Sequence, residues 1–226
     1  MIRLRSRSPS MPTPRPIKVI GITGGVGAGK SALAARFADL GCVVSDSDAH
    51  ARAVLAQPDV CQTLARWWGP SVLTPDGRAD RTRIASIVFS DPEARRRLED
   101  LVHPLIAKVR AAERDRAVAA GAPAMVIDAP LLIEAGLDRE CDAVVFADAP
   151  REVRAARVHA ARGWDEAELH RREAAQLPLD QKRRRCHFVL NTDRPPADIA
   201  LDARAVLDAV LAGRIGPPGS SGLPAR

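Results

Sequence analysis

The chain has 226 residues, of which 46% are hydrophobic, and its formal net charge is +6. This fits one globular domain with insertions, and no apolar run approaches the roughly 18 residues of a membrane span. Aromatic residues make up only 3%, which disfavours a surface that stacks nucleic-acid bases, so a small polyanionic substrate better explains the charge. The four cysteines form no C-x-x-C pair, which argues against zinc or redox motifs and is typical of reduced thiols in a cytoplasmic protein.

Both ends of the chain have compositions that disfavour a packed structure. Residues 1–16 contain no acidic residue and are rich in Arg, Ser and Pro, which predicts a disordered basic arm. Residues 214–226 are rich in Pro, Gly and Ser and predict a disordered tail. We therefore expect the folded domain to cover residues 17–213.

Short apolar runs that alternate with helical patterns predict an α/β fold with a five-stranded parallel sheet. The first strand is predicted at Ile17–Ile22, and a helix follows at Ser31–Leu40, which Gly41 can close in a left-handed conformation. The remaining strands are predicted within residues 42–48 and at Ala124–Asp128, Ala143–Ala147 and Phe188–Thr192.

Two segments between the predicted strands are too long for ordinary crossovers. Residues 49–121 predict a helical insertion, in which Asp91 and Pro92 are typical of a helix start and Pro104 interrupts the helical pattern. Residues 151–185 predict a second helical insertion, rich in arginine, which we expect to act as a mobile flap over phosphates. The core then consists of residues 17–48, 122–150 and 186–213.

A phosphate-binding loop follows the first strand. Gly24-x4-Gly29-Lys30-Ser31 fits the pattern G-x-x-x-x-G-K-[ST] and lies between a strand and a helix, as that motif requires. Its glycines let backbone N–H groups turn toward phosphate oxygens. Lys30 is expected to reach the β- and γ-phosphates of a nucleoside triphosphate, and Ser31 to bind Mg²⁺. The loop residues expected to bind the nucleotide are Gly25, Gly27, Ala28, Gly29, Lys30, Ser31 and Ala32.

Two aspartates at the end of the second strand indicate transfer of the phosphoryl group to an acceptor. Asp46 and Asp48 lie at the edge where ligands bind in a doubly wound sheet. If the strand stays extended, both carboxylates face the γ-phosphate, and one can accept the proton of an acceptor hydroxyl. No aspartate has a lysine two positions before it, so the base-reading motif of switch GTPases is missing. A P-loop ATPase with Asp128 as the acid after an apolar strand remains an alternative.

Five segments together resemble the dephospho-coenzyme A kinase family. They are TGGVGAGKS, GCVVSDSDAHAR, VHPLI, APLLIEAGL and AAQLPLDQKRRRCHFVLNT, in the family's order and spacing from about Ile17 to Leu211. The loop alone is generic, but its combination with D-x-D, H-P-L and P-L-L-x-E is specific. The resemblance implies a P-loop kinase with a helical acceptor subdomain over residues 49–121 and a lid over residues 151–185.

The resemblance also implies a reaction and its partners. ATP would donate its γ-phosphoryl group, with Mg²⁺, to the 3′-hydroxyl of dephospho-coenzyme A, which is the last step of coenzyme A biosynthesis. We expect a cytoplasmic monomer or weak homo-oligomer that binds these two small molecules and neither nucleic acid nor membrane. Another small-molecule P-loop kinase and a non-kinase P-loop ATPase remain the alternatives.

Individual roles follow from the same resemblance. Asp48 matches the catalytic base for the ribose hydroxyl, and Lys30 is expected to stabilise the transferring phosphoryl group. Where the family has Arg-Asp-Gly, this chain has Ala161-Arg162-Gly163, so Arg157 is preferred as the catalytic arginine and Arg162 is the alternative. The acceptor matches are Asp46, Arg52, His103, Pro130, Leu131 and Glu134. Asn191 matches the loop near adenine, and Gln176, Pro178 and Lys182 match the exit of the lid.

Overall fold

The computed structural model describes residues 17–220. The predicted arm, residues 1–16, and residues 221–226 of the predicted tail lie outside the described residues. The first part of that tail differs from the prediction of disorder, because Ile215 packs against the core and the N–H of Gly219 donates to the carbonyl of Cys186 at 2.8 Å. An apolar side chain and a backbone hydrogen bond thus connect residues 214–220 to the domain.

Five parallel strands form a single sheet. They are β1 Lys18–Gly24, β2 Val43–Asp46, β3 Ala124–Asp128, β4 Ala143–Asp148 and β5 Phe188–Asn191. Their order is β2-β3-β1-β4-β5, so β1 is central and pairs with both β3 and β4. The chain leaves β1 toward one edge and later crosses to the other, which opens a crevice at the carboxyl ends of the strands. The predicted α/β fold with a five-stranded parallel sheet is confirmed.

Nine α-helices lie within residues 17–220. Helix α1 is Lys30–Asp39. Between β2 and β3 lie α2 Ser47–Leu55, α3 Pro58–Trp68, α4 Arg81–Ser90 and α5 Pro92–Ala119, which we call the first insertion. Between β4 and β5 lie α6 Arg151–Arg162, α7 Glu166–Ala174 and α8 Leu179–Arg184, which we call the second insertion. Helix α9 is Pro196–Leu211, and short 3₁₀ turns lie at Pro70–Val72 and Leu137–Glu140.

Local signals set several of these boundaries. Gly41 follows α1 with φ of 85°, and its N–H donates to the carbonyl of Ala38 at 2.8 Å, which closes the helix as predicted. Asp91 caps α5 by accepting the N–H groups of Glu93 and Ala94. A glycine thus ends α1, and an aspartate side chain satisfies the first N–H groups of α5.

Helix α5 runs through Pro104, which corrects the predicted interruption. A proline removes one backbone hydrogen bond and usually kinks or ends a helix. Here Pro104 is exposed, and so is Asp100, whose carbonyl loses its helical partner and can bind water. On another face of α5, Leu101 and Leu105 pack into an apolar cluster, so packing outweighs the lost bond and the helix continues.

Three apolar clusters stabilise the domain. One face of the sheet packs against α1 and α9, with Phe37 and Val206 fully buried, and the other face buries Ile127 and Leu132. The first insertion has its own cluster around Leu64. Within residues 17–220, no helix is both long enough and apolar enough to cross a membrane.

Gly24 at the end of β1 is a position with no room for a side chain. A Cβ there would overlap the carbonyl oxygen of Ala147 on β4, and the φ of 150° is one that L-residues rarely adopt. We expect Gly24→Ala to lower the free energy of unfolding by about 1–3 kcal/mol, the usual cost of overpacking, and thermal unfolding measures this.

Gly77→Ala is the matched control for this substitution. Gly77 also has a positive φ, of 76°, but no atom lies within 4 Å of a Cβ added there. Gly77→Ala should therefore lower the free energy of unfolding only through the strained backbone conformation, with no contribution from overpacking. If the two variants melt at the same temperature, the packing argument at Gly24 is wrong.

Candidate active site

The loop after β1 lines a cavity at the carboxyl end of the sheet. This loop cavity has a volume of about 820 Å³, and residues 26–32 form one wall of it. Gly29 is the N-cap residue of α1, with φ of 79° and no side-chain cap. The first N–H groups of α1 are therefore free to bind an anion, and the helix dipole adds positive charge there.

Side chains behind the loop hold its backbone in place. Arg154 is buried, donates to the carbonyls of Val26 at 3.2 Å and Ala149 at 3.3 Å, and pairs with Glu173 of α7. The hydroxyl of Thr192 donates to the carbonyl of Ala28 at 2.7 Å. Because carbonyls are held from behind, the N–H groups of the loop stay directed toward the cavity.

Lys30 lies at the base of the loop cavity. Its ammonium donates to the carbonyls of Gly25 at 2.9 Å and Gly24 at 3.3 Å. Burial lowers the pKa of Lys30 to about 8, although the neighbouring Asp128 carboxylate acts in the opposite direction. The lysine is thus still mostly protonated at neutral pH, but it loses its proton at a much lower pH than an exposed lysine does.

The second strand does not stay extended through both predicted aspartates, which corrects the expected geometry. Strand β2 ends at Asp46, which caps α2 by accepting the N–H of Ala49 at 2.9 Å. Aspartate is a favoured cap, so the chain turns into helix as soon as the strand ends. Asp48 then lies in the first turn of α2, and both carboxylates still line the loop cavity.

A third acid completes this edge of the sheet. Asp128 ends β3 in register with Asp46 of β2, and its carboxylate accepts the Ser31 hydroxyl at 3.3 Å. Burial raises the pKa of Asp128 above its ordinary value, while Lys30 and Ser31 act in the opposite direction. The sequence does indicate Asp128, because it ends an apolar strand. From the sequence alone, however, Asp128 was given a role only in the alternative of a P-loop ATPase.

A second cavity of about 520 Å³ lies against the first insertion. This insertion cavity is bounded by α2, by α5 through His103, Pro104 and Arg110, and by the segment after β3. It shares Asp48, Pro130 and Leu131 with the loop cavity. Asp48 therefore faces both spaces at once.

Helix α2, which carries Asp48, is tied to α5 by a buried polar pair. His50 is 7% exposed, and its Nε2 lies 2.9 Å from a carboxylate oxygen of Glu113. Neither His50 nor Glu113 lines the loop cavity or the insertion cavity. The pair fixes the orientation of α2 relative to α5 and so the position of Asp48 between the two cavities.

The two candidate arginines occupy different places. Arg162, at the end of α6, lines the loop cavity, whereas Arg157 is not among its lining residues. Arg157 lies behind the loop, where it donates to the carbonyl of Thr192 at 2.8 Å and approaches Asp193 at 3.8 Å. The structure thus places Arg162 at the loop cavity and Arg157 behind the loop, and which of them contacts the transferring phosphate stays a prediction.

Other predicted residues divide between the cavities and the scaffold. Arg52 and Gln176 line the loop cavity, and Arg52 lies 3.8 Å from Asp46. Asn191 ends β5, is exposed, and accepts the N–H of Asp193 at 2.8 Å instead of lining either cavity. Pro178 is the N-cap residue of α8.

Glu134 lines neither cavity, which differs from its predicted acceptor contact. Its carboxylate accepts the ammonium of Lys182 at 2.8 Å and the N–H of Leu177 at 2.9 Å. Lys182 is fully buried and also donates to the carbonyl of Pro130 at 3.1 Å. A buried ammonium requires an anionic partner, and Glu134 fills that requirement.

Three charged or aromatic residues that line the loop cavity were not singled out in the sequence. Arg81 comes from the start of α4, Trp164 from the turn after α6, and Arg172 from α7. Each belongs to a different helical segment, and surface arginines are common in this chain. No local pattern separates these three from solvated neighbours, so only the fold could identify them.

Two solved structures share the fold of this chain. A crystal structure of TT1252 from Thermus thermophilus is 36% identical, with a TM-score of 0.76, and the match covers 89% of this chain and all of that one. A dephospho-CoA kinase from Campylobacter jejuni has a TM-score of 0.62 at 21% identity, covers 87% of this chain and 98% of its own, and supports the fold alone.

Curated relatives match over most of their length. A dephospho-CoA kinase from Anaeromyxobacter dehalogenans is 42% identical over 200 residues, which are 88% of this chain and 94% of that protein. A dephospho-CoA kinase from Deinococcus radiodurans is 40% identical over 190 residues, which are 84% and 91% of the two chains. The family model described as CoaE, dephospho-CoA kinase, matches residues 18–198. The chain therefore belongs to the dephospho-CoA kinase family.

Proposed function

We propose that this chain transfers the γ-phosphoryl group of ATP to the 3′-hydroxyl of dephospho-coenzyme A, with Asp48 as the base. The observation that carries this proposal is that Asp48 lines both the loop cavity and the insertion cavity. Family membership supports an ATP-dependent kinase with these two small-molecule substrates. A P-loop ATPase would need no second cavity for an acceptor, so that alternative is not favoured.

The loop cavity suits a triphosphate donor. Its described lining includes five cationic side chains and three carboxylates, and the backbone N–H groups of the loop add further positive potential. The cations are Lys30, Arg52, Arg81, Arg162 and Arg172. Charge that develops on the transferring phosphoryl group is stabilised by donors that are already in place before the reaction begins.

Mg²⁺ fits the donor set at the start of α1. The Ser31 hydroxyl and the Asp128 carboxylate lie 3.3 Å apart at the cavity edge, and within residues 17–220 no group of three or more His, Cys, Asp or Glu forms a metal cage. Mg²⁺ is commonly held by one or two protein oxygens together with substrate phosphates and water. When bound, it neutralises charge on the β- and γ-phosphates. We assign Ser31 and Asp128 to hold it.

Asp48 is assigned to accept the proton of the acceptor hydroxyl. Asp48 lies at the junction of the cavities. The ribose of an acceptor bound in the insertion cavity would meet the γ-phosphate there. As the oxygen of that hydroxyl forms its bond to phosphorus, the proton passes to Asp48 and ADP leaves. Asp46 caps α2 and keeps Asp48 in position.

The two insertions are assigned separate tasks. The first insertion, predicted as residues 49–121, binds the acceptor through the wall that contains His103 and Pro104. The second insertion, predicted as residues 151–185, is the lid that brings Arg162 to the transferring phosphate. The free thiols of the four cysteines and the nature of the substrates support a cytoplasmic enzyme.

Asp48→Asn keeps the shape of the base and removes its basicity. We expect kcat to fall by about 10²–10⁴-fold, the usual contribution of a general base, while the affinity for ATP changes little. Steady-state kinetics with dephospho-coenzyme A, AMP and adenosine as acceptors measure this loss and the acceptor preference of the wild type together.

Asp59→Asn is the matched control, because Asp59 also lies in the first turn of a helix of the first insertion but outside both cavities. It should retain wild-type turnover. Normal turnover of the Asp48 variant would show that another group is the base. AMP or adenosine as good an acceptor as dephospho-coenzyme A would refute the substrate assignment.

The affinity for ATP should fall as the pH rises above about 8. The pKa of Lys30 is about 8 in the free protein, and a bound triphosphate favours its charged form and raises that pKa. Binding then takes up a proton between the two values, so affinity is greatest below the free pKa and falls roughly tenfold by pH 9.5. Calorimetry in two buffers of different ionisation enthalpy measures the proton uptake.

Lys30→Arg provides the control for this pH dependence. The guanidinium stays charged throughout the range, so proton uptake should disappear even if binding is weaker. A wild-type affinity that is flat from pH 7.5 to pH 9.5 would contradict the assignment of Lys30.

Arg162 and Arg157 should differ in their effects on turnover. Because Arg162 lines the loop cavity, Arg162→Ala is expected to lower kcat by about 10²–10³-fold, as for other lost electrostatic donors. Arg157→Ala removes contacts behind the loop and should change kcat at least tenfold less. Steady-state kinetics with saturating ATP distinguish the two, and the reverse order would return Arg157 to the catalytic role.

A further inference from the structure

We propose that Trp164 is a positioning residue that holds Arg162 and Arg172 together at the loop cavity. The guanidinium carbon of Arg162 lies 4.6 Å from the centroid of the Trp164 ring, and that of Arg172 lies 4.8 Å from it. All three side chains line the cavity that also contains Lys30. The inference rests on the proposed role of Arg162 in phosphoryl transfer.

The backbone between α6 and α7 creates this arrangement. Helix α6 ends at Arg162 because Gly163 adopts a left-handed conformation with φ of 67°, and its N–H donates to the carbonyl of His159 at 2.8 Å. The chain turns sharply there, so the ring of Trp164 lies against the arginine two residues earlier. Asp165 then starts α7 by accepting the N–H of Glu168 at 2.8 Å.

The start of α7 also fixes the second arginine. Arg172 lies one turn after Glu168, whose carboxylate accepts the Nε–H of Arg172 at 2.8 Å. The guanidinium is thus held on one side by Glu168 and on another by the Trp164 ring. Within residues 17–220 Arg162 makes no ion pair with a carboxylate, so the ring is its main anchor.

Charge explains why an aromatic ring is suited to this place. Two guanidinium groups beside one ring repel each other, and the negative face of the ring offsets part of that repulsion. A carboxylate in the same position would hold the arginines more firmly but would repel the incoming triphosphate. The ring positions Arg162 without neutralising it, so the full charge of Arg162 remains available to the phosphate, whereas the charge of Arg172 is partly balanced by Glu168.

The loss of the ring should therefore slow turnover more than it weakens binding. We expect Trp164→Ala to lower kcat by about tenfold, the order of two arginine–ring contacts, with less than about a threefold change in the KM for ATP. Trp164→Phe keeps an aromatic face and should restore most of the turnover. Melting temperatures of both variants should stay close to that of the wild type, since Trp164 is only half-buried.

A second background tests whether Trp164 acts through the arginines. In a protein with Arg162→Ala and Arg172→Ala, adding Trp164→Ala should cause no further loss of kcat, because the groups that the ring positions are gone. Arg97→Ala is the matched control: it removes the stack of Arg97 on Trp67, at 4.1 Å, in the first insertion, and should leave turnover unchanged.

The outcomes separate this inference from the proposed function. A Trp164→Ala variant with normal kcat, or one that loses as much in the arginine-free background, overturns the positioning role. The positioning role is also overturned if Trp164→Phe and Trp164→Ala lower kcat and melting temperature equally. That pattern would indicate a purely structural role for Trp164. If wild type does not phosphorylate dephospho-coenzyme A, the proposed function fails, and normal turnover of Arg162→Ala overturns both the arginine assignment and this inference.

Discussion

The parallel pairing of β1, β3 and β2 is the constraint on which the candidate site depends. Hydrogen bonds between these strands align Ile22 with Asp128 and Asp128 with Asp46, so β2 and β3 end at the same level and β1 continues two residues further into the loop. The phosphate-binding loop, the Ser31–Asp128 contact and the start of α2 are consequences of that register. A slip of one residue in either pair would turn the acids away from the loop.

Hydrogen bonds and an ion pair of the buried Lys182 connect the segment after β3 to the second insertion. Lys182 on α8 is fully buried and donates to Pro130, Glu134 and Gln176. Pro130 borders both cavities, and Gln176 lines the loop cavity at the end of the second insertion. Because a buried ammonium must keep all of its partners, the segment after β3 and the exit of the second insertion cannot move independently at this point.

Much of the fold was predictable because its signals are local. The strand Ala124–Asp128 agrees with the prediction at both ends, and the Gly24–Ser31 motif and the Asp91 cap are complete within a few residues. The family and the fold class followed from such segments and are confirmed. The exact roles of the site residues stay predictions until they are measured.

The structure departs from the sequence-based expectations where distant contacts decide the arrangement. Pro104 does not end α5, because packing elsewhere on the helix outweighs one lost bond. Glu134 is engaged by Lys182, which is 48 positions away in the chain and gives no local sign of burial. Arg162 ends α6 at the Gly163 turn and lies against the Trp164 ring, and neither contact can be read from a motif that is shifted by one residue.

The separate apolar cluster of the first insertion has a consequence for how such an enzyme can change over time. Since Leu64 and its neighbours pack among themselves, substitutions in that cluster need not disturb the packing of the sheet or of the loop that follows β1. On the proposed function, the surface that binds the acceptor can therefore vary while the loop that follows β1 is preserved. A core divided in this way lets selection act on acceptor choice and on nucleotide use almost independently.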